Sequence, residues 1–503
     1  VNDMGWAKLP AAGGKEDIWN FLLPEPLQPI AALALIGAVL SVVFRIRAGI
    51  FLTATALIFG VGFKFWPADQ RLWNARLLPF WLLCLFLLAG LAVAEIGRAV
   101  ALLVARDPDR PPQAVLAGYA VAGLAVMLVV VALPLGIMPL QDTTRSDGSY
   151  RWLWATVSAD DRNVVDDWSK WNYEGYERKP AYPEYHELVS TMADIGATKG
   201  CGRAFWEFGD ERLDRYGTTM APMLLPYWTD GCIASQEGLY FESSVSVPYH
   251  FITQGKLSAK CSCAQRFDVY GVDPSPYSGF DITVGIRQLQ LLGVRYFLAF
   301  SDKVVQAAED NPDLTPLTTT SYGWHIYEVA DSSVIEPLTN EPAVVPGVDR
   351  HAGWVRLAVD WYVDPERWDV MLAADGPDEW SRVDAGQHPP TRPLPEVTVR
   401  DVVMDRDRIS FDVSEVGTPV LVKVSYFPNW DVSGAEGPYR VAPNLMVVVP
   451  TSTHVELTYG RTTVDVLAYL LSALGLVLVV YLARRPPVGV ASRRPAPAPE
   501  PPD

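Results

Sequence analysis

Five apolar runs constrain this chain before any other feature does. Leu27–Phe44, Ile50–Phe65, Leu77–Val104, Ala114–Leu133 and Val464–Ala483 carry few or no charges. A helix rises about 1.5 Å per residue, so about 20 apolar residues cross the ~30 Å hydrocarbon layer of a bilayer. One such run could be a buried core helix, but five together predict a membrane protein. The composition agrees: 50% of residues are hydrophobic and only 20% are charged. A disordered chain, a small disulfide scaffold and a cytosolic enzyme are excluded on that basis.

Basic residues orient the runs, because Lys and Arg favour the cytoplasmic side. Arg45 and Arg47 fall between the first two runs, Arg98, Arg106 and Arg110 around the third turn, and Arg484, Arg485, Arg493 and Arg494 after the last. Placing all three clusters in the cytoplasm makes every span alternate and puts residues 140–463 outside. The formal net charge is −17, with the excess acid in that outer segment. Such a surface repels nucleic acid and anionic headgroups, so no nucleic-acid partner is expected. The same topology places residues 1–26 outside. They carry no signal-peptide pattern and open on Val1, so further transmembrane helices are expected upstream.

Within the outer segment the pattern changes once. YHELVSTMADIG, GIRQLQLLG and SDKVVQAAED have helical spacing and alternate with the strand-like CGRAFWEF, VRYFLAF and GWHIYEVA, which predicts an α/β layer domain. From about residue 345, VRLAVDWYV, RISFDV, PVLVKVSYF, LMVVVP and HVELTY read as short strands between turns, the pattern of an antiparallel β-sandwich close to the membrane. The expected fold is thus a membrane α-helical bundle with an extracytoplasmic α/β domain and a β-sandwich. Its parts are an outer segment 1–26, four transmembrane helices in 27–139, the α/β domain 140–340, the β-sandwich 341–463, a transmembrane helix 464–483 and a cytoplasmic Pro-rich tail 484–503.

Cysteine usage fits this plan. Cys84 lies in the third run and is expected to be a packing residue, whereas Cys201, Cys232, Cys261 and Cys263 fall outside, where disulfides persist. A Cys261–Cys263 bridge would close a strained small ring. Cys201 and Cys232 are therefore each expected to pair with one member of the CSC. A zinc site is the competing reading, but no histidine stands at ligand spacing beside the CSC, so no metal is expected there.

The familiar catalytic signatures GxSxG, P-loop, HExxH and GxGxxG are missing, and His325 in GWHIYEV is expected to be a strand side chain. The polar loop KFWPADQRLWNARLLPFW says more. Arg71 and Arg76, with Asn74 between them, sit at the outer face among Trp66, Trp73 and Trp81. They are either an aromatic belt with snorkelling cations or a guanidinium fork for the phosphate of a lipid-linked donor. Glu95 and Arg98 are expected to form an i,i+3 pair or to snorkel. In the outer domain, Trp168, Trp171, Tyr173, Tyr176, Tyr182 and Tyr185 are followed by Arg203, Trp206, Glu207 and Asp210. Aromatics beside carboxylates suit a carbohydrate, which makes Trp171, Tyr176, Trp206 and Glu207 glycan-contact candidates; core packing and turns are the alternative.

WNARLLPFW, GRAFWEFGDERLDRYGT, EGLYFESS, LGVRYFLAF, GWHIYEV and SYFPNWDVSGAEGPYRVAPNLMVVVP together carry a resemblance across nearly the whole chain. It resembles a family of large actinobacterial membrane proteins labelled as related to 6-pyruvoyl-tetrahydropterin synthase. It is also similar to GT-C-type membrane glycosyltransferases and, more distantly, to YfhO-type proteins. The zinc-binding histidine triad of the pterin enzyme has no counterpart in this sequence. The GT-C resemblance implies inverting transfer from a polyprenyl-phosphate sugar at the outer membrane face to a cell-envelope glycan or glycolipid. It also implies a catalytic carboxylate, or carboxylates holding a divalent cation, in a first outer loop upstream of the helices seen here. Asp3, Glu16 and Asp17 precede the first run and match that loop weakly. The alternative is a non-catalytic envelope protein whose outer domain binds glycan or a protein partner.

Overall fold

The computed structural model describes residues 18–24, 27–65, 74–104, 120–121, 123–124, 137–138, 140–152, 155–158, 173–236, 246–260, 279–348 and 351–484. The chain divides into two compact units. One comprises Val1–Val334, Pro342–Thr391 and Ala442–Asn444, the other Ile335–Glu341, Arg392–Val441 and Leu445–Asp503.

After a short helix at Ile18–Leu22, the first unit holds three longer apolar helices, α1 (Gln28–Val43), α2 (Arg47–Phe65) and α3 (Leu78–Val104). Among the described residues, three helices are long and apolar enough to cross a membrane: α2, α3 and, in the second unit, Thr463–Arg484. The run beginning at Leu27 forms a helix of only 16 residues, about 24 Å long, and so falls short of a full span. The run at 114–133 lies almost wholly outside the described residues. Ala34, Gly37 and Ser41 line the buried stripe of α1. A Cβ on Gly37 would stand 2.1 Å from the Leu88 carbonyl oxygen, so only glycine permits this approach to α3. Cys84 is a buried free thiol, as expected, and Arg98 pairs with Glu95 at 3.5 Å.

The alternating pattern folds as an α/β layer. Its elements are α4 (Tyr182–Lys199), β1 (Gly202–Trp206), β2 (Ile233–Ser235), α5 (Val247–Leu257), α6 (Ile282–Leu291), β3 (Val294–Ala299), α7 (Asp302–Glu309), β4 (Leu314–Thr319) and β5 (His325–Val329). The sheet order is β2-β1-β3-β5-β4. β1 runs parallel to β2 and β3, while β5 runs antiparallel to β3 and β4. Tyr185, Leu188, Met192 and Ile195 recur at helical spacing on α4 and pack on Ala204, Trp206, Tyr296 and Leu298 of the sheet.

Two expectations are corrected here. Cys201 pairs with Cys232, not with the CSC. Gly202 of β1 stands in register with Ile233 of β2, so the residues just before the two parallel strands meet, with Cα atoms 4.6 Å apart. Cys261 and Cys263 lie outside the described residues. The segment VRLAVDWYV, read as a strand, belongs to the helix α8 (His351–Tyr362). Trp354, Val355, Ala358, Val359, Trp361 and Tyr362 are buried at three- and four-residue spacing, and this period overrides the β propensity of Val and Trp. α8 falls in the first unit, inside the span 341–463 expected to form the β-sandwich.

The second unit is built from β6 (Ile335–Pro337), β7 (Val399–Met404), β8 (Arg408–Val413), β9 (Val420–Val422), β10 (Trp430–Ser433), β11 (Ala435–Val441), β12 (Leu445–Pro450), β13 (His454–Tyr459) and α9 (Thr463–Arg484). Strands pair antiparallel in the orders β11-β12-β9-β6 and β7-β8-β13-β10. Ile409, Phe411 and Val413 of β8 and Val455 and Leu457 of β13 alternate inward. Lys423 is buried and its ammonium meets Glu336 at 2.8 Å, which answers the cost of desolvating the cation.

Candidate functional site

Two places gather the residues singled out in the sequence. The first is the turn leading into α3. Residues Asn74–Leu77 form one 3₁₀ turn. Pro79 follows in the first turn of α3, where its missing N–H costs nothing. Asn74 and Leu77 are buried, and the Asn74 amide donates to the Phe63 carbonyl at 3.3 Å. This bond ties the turn to the end of α2. Trp81 donates its indole N–H to the Leu22 carbonyl at 2.8 Å. Arg76 is exposed on the turn so held. Of the three donor-phosphate candidates, then, Arg76 is presented and Asn74 is spent on shaping the turn. Arg71 lies outside the described residues, as do Trp66 and Trp73. Arg76 thus stands just ahead of the 27-residue apolar helix α3, and a guanidinium can offer two parallel N–H bonds to a phosphate.

The second place is the end of the α/β sheet where β1 and β3 both terminate. Trp206 is in the core, and Glu207, one residue beyond β1, is 1% exposed. The Glu207 carboxylate accepts from the backbone N–H of Phe300 at 2.8 Å, from that of Ser301 at 2.9 Å and from the Ser301 hydroxyl. These bonds pin the loop after β3 to the end of β1. Tyr176 is half-buried and stacks on Tyr185 at 5.5 Å between ring centroids. The Tyr185 hydroxyl donates to the Ala221 carbonyl and accepts from the Trp228 indole. Trp171 and Trp168 lie outside the described residues. Trp206 is thus engaged in the core and Glu207 in closing the loop after β3, while Tyr176 keeps part of its ring exposed.

A buried polar chain beside them carried no sequence signal. Glu184, in the first turn of α4, is 4% exposed. It accepts from Arg212 Nε at 2.6 Å and from the Tyr216 hydroxyl at 2.7 Å. Tyr216 in turn accepts from the Trp324 indole at 2.8 Å. The Arg212 guanidinium lies over the Phe300 and Trp324 rings, 4.8 Å from each centroid, and donates to the Tyr322 carbonyl. Burial, reinforced by the Glu184 carboxylate, pushes the Tyr216 phenol far above its ordinary range. Nothing in the sequence separates Glu184 from a solvated helix-start acid, because its partners come from residues 28 and 32 positions away.

Among the described residues, no group of three His, Cys, Asp or Glu side chains is arranged to hold a metal ion. No family model, curated protein or solved structure matches the chain.

Proposed function

We propose that the chain is a glycosyltransferase-like, multi-pass protein of a bacterial cell membrane, with its α/β and β-rich parts outside. It uses a polyprenyl-phosphate sugar at the outer face, with a cell-envelope glycan or glycolipid as acceptor. The observation that carries this reading is Arg76, exposed on a turn that Asn74 locks to α2 at the head of a long apolar helix. Three helices long enough to cross a membrane support the membrane setting, and the Cys201–Cys232 bridge fits an oxidising compartment.

A Lys at position 76 keeps the charge and can still snorkel, but it loses the bidentate fork. Arg76→Lys should leave expression and membrane insertion intact and weaken binding of a polyprenyl-phosphate sugar by about 1–3 kcal/mol, the range for charge-assisted hydrogen bonds. Titration of the protein in nanodiscs with that donor measures the difference. Equal affinity would reduce the loop to an interfacial anchor. One observation favours the second reading, a non-catalytic protein that binds glycan or a partner: the buried carboxylates Glu184 and Glu207 are bonded internally. Transfer of labelled sugar from the donor to envelope glycan by the purified protein would exclude it.

A further inference from the structure

The β-rich unit enters its apolar helix without a flexible linker. Asp465, in the first turn of α9, accepts from the Thr462 backbone N–H at 2.7 Å, the Thr462 hydroxyl at 2.8 Å and the Asn429 amide at 3.0 Å. Asn429 also donates to the Gly460 carbonyl at 2.9 Å, and Gly460 N–H returns a bond to the Asn429 carbonyl at 2.7 Å. The loop before β10, the end of β13 and the start of α9 are thus one bonded joint.

Helix length then fixes depth. α9 has 22 residues, about 33 Å, against ~30 Å of hydrocarbon. Arg484 closes its last turn. Across a bilayer, so little spare length would put the first turn of α9 at the hydrocarbon boundary, and Asn429 with it.

The side chains at this end of the sheet are those that a headgroup layer favours. Tyr459 packs against Phe427 at 6.2 Å and Trp430 at 5.2 Å between centroids. Phe427 and Tyr459 are each 43% exposed. The tip of the β7–β8 hairpin reaches the same end, since the Tyr459 N–H donates to the Asp407 carbonyl. That hairpin brings exposed Met404 with it. The Arg461 guanidinium lies 5.3 Å from the Tyr469 ring centroid on α9. In water, clustered exposed Phe, Tyr and Met are unfavourable. At a bilayer surface, amphipathic rings and cations near phosphates are stabilised.

We propose that Phe427, Trp430 and Tyr459, with Met404 and Arg461, form an interfacial anchor seated among the phospholipid headgroups where α9 enters the membrane. The anchor rests on α9 crossing a membrane, and the test separates the two claims. The full chain is reconstituted into vesicles of phosphatidylcholine with a minor share of phosphatidylglycerol. Single benzoylphenylalanine replacements are made at Phe427, at Leu474 in mid-α9 and at Thr451, beyond the opposite end of β13. After irradiation, mass spectrometry should find phospholipid adducts at 427 and 474 and none at 451. An adduct at 474 without one at 427 overturns the anchor and leaves α9 in the bilayer. A protein–protein adduct at 427, or lipid labelling at 451 as strong as at 427, also overturns it. No lipid adduct at 474 removes both claims. Phe427 is exposed, so the aromatic replacement leaves the fold intact; a monodisperse elution profile verifies this.

Discussion

Glu184 shows how far one side chain can be from what its neighbours in sequence suggest. As an acid in the first turn of α4 it is favoured by the helix dipole, yet it is buried and answers Arg212, itself 17% exposed. Removing the carboxylate leaves a partly buried guanidinium without its partner. Glu184→Ala should destabilise the α/β part by about 3–5 kcal/mol, the usual cost of breaking such a pair, and thermal unfolding measures it. A smaller effect is expected where solvent screens the group. The exposed Glu187 carboxyl lies below its ordinary value of 4.5 because the Ser321 hydroxyl and N–H both donate to it. A depressed folded-state pKa adds stability that is complete above the ordinary carboxylate range and is lost as pH falls through the lower value. Ser321→Ala should raise the Glu187 pKa toward 4.5, as NMR titration of the carboxyl would show, and flatten the acid limb of the stability curve. An unchanged titration would mean that the hydroxyl bond is not formed in solution.

At the scale of elements, the sequence was legible wherever one period ran unbroken. α4, α6, α7, β3 and β5 sit where apolar spacing put them, because each buries one face or stripe against a single layer. α8 was misread because Val and Trp carry β propensity, and its helical stripe is interrupted only by Arg356 and Asp360. The disulfide was misassigned for a different reason. Pairing depends on which strands lie side by side, and only the β1–β2 register brings Cys201 to Cys232. With the two cysteines 31 positions apart, the bridge should contribute about 3–4 kcal/mol by restricting the unfolded chain. The double Ser variant at 201 and 232 should therefore melt lower, and peptide mapping of unreduced protein should show this pair linked. Asn74 marks the limit of legibility in the candidate site. Its amide type suited a polar ligand contact, but only the packed turn reveals the bond to Phe63. Asn74→Ala should loosen the turn by about 1 kcal/mol, the net worth of one hydrogen bond. Faster hydrogen exchange at the end of α2 reports it.

At the scale of the whole molecule, the Arg clusters make a directional claim that α9 and the β-rich unit inherit. A cysteine at Ser433, exposed on β10, should react with an impermeant thiol reagent in intact cells, whereas one at Ser492 should not. Reversed labelling would invert the topology and remove the outer-face chemistry with it. The joint at Asp465 has a further consequence for such a molecule. A domain tethered by a loose linker samples a hemisphere of orientations, and its partners meet it at many heights. Here the carboxylate belongs to the helix and the amide to the loop that opens β10, which opposes swivelling at the joint. In a membrane the β-rich unit would keep one tilt and one height. An encounter with another component of the same membrane would then become a search in two dimensions between surfaces already aligned.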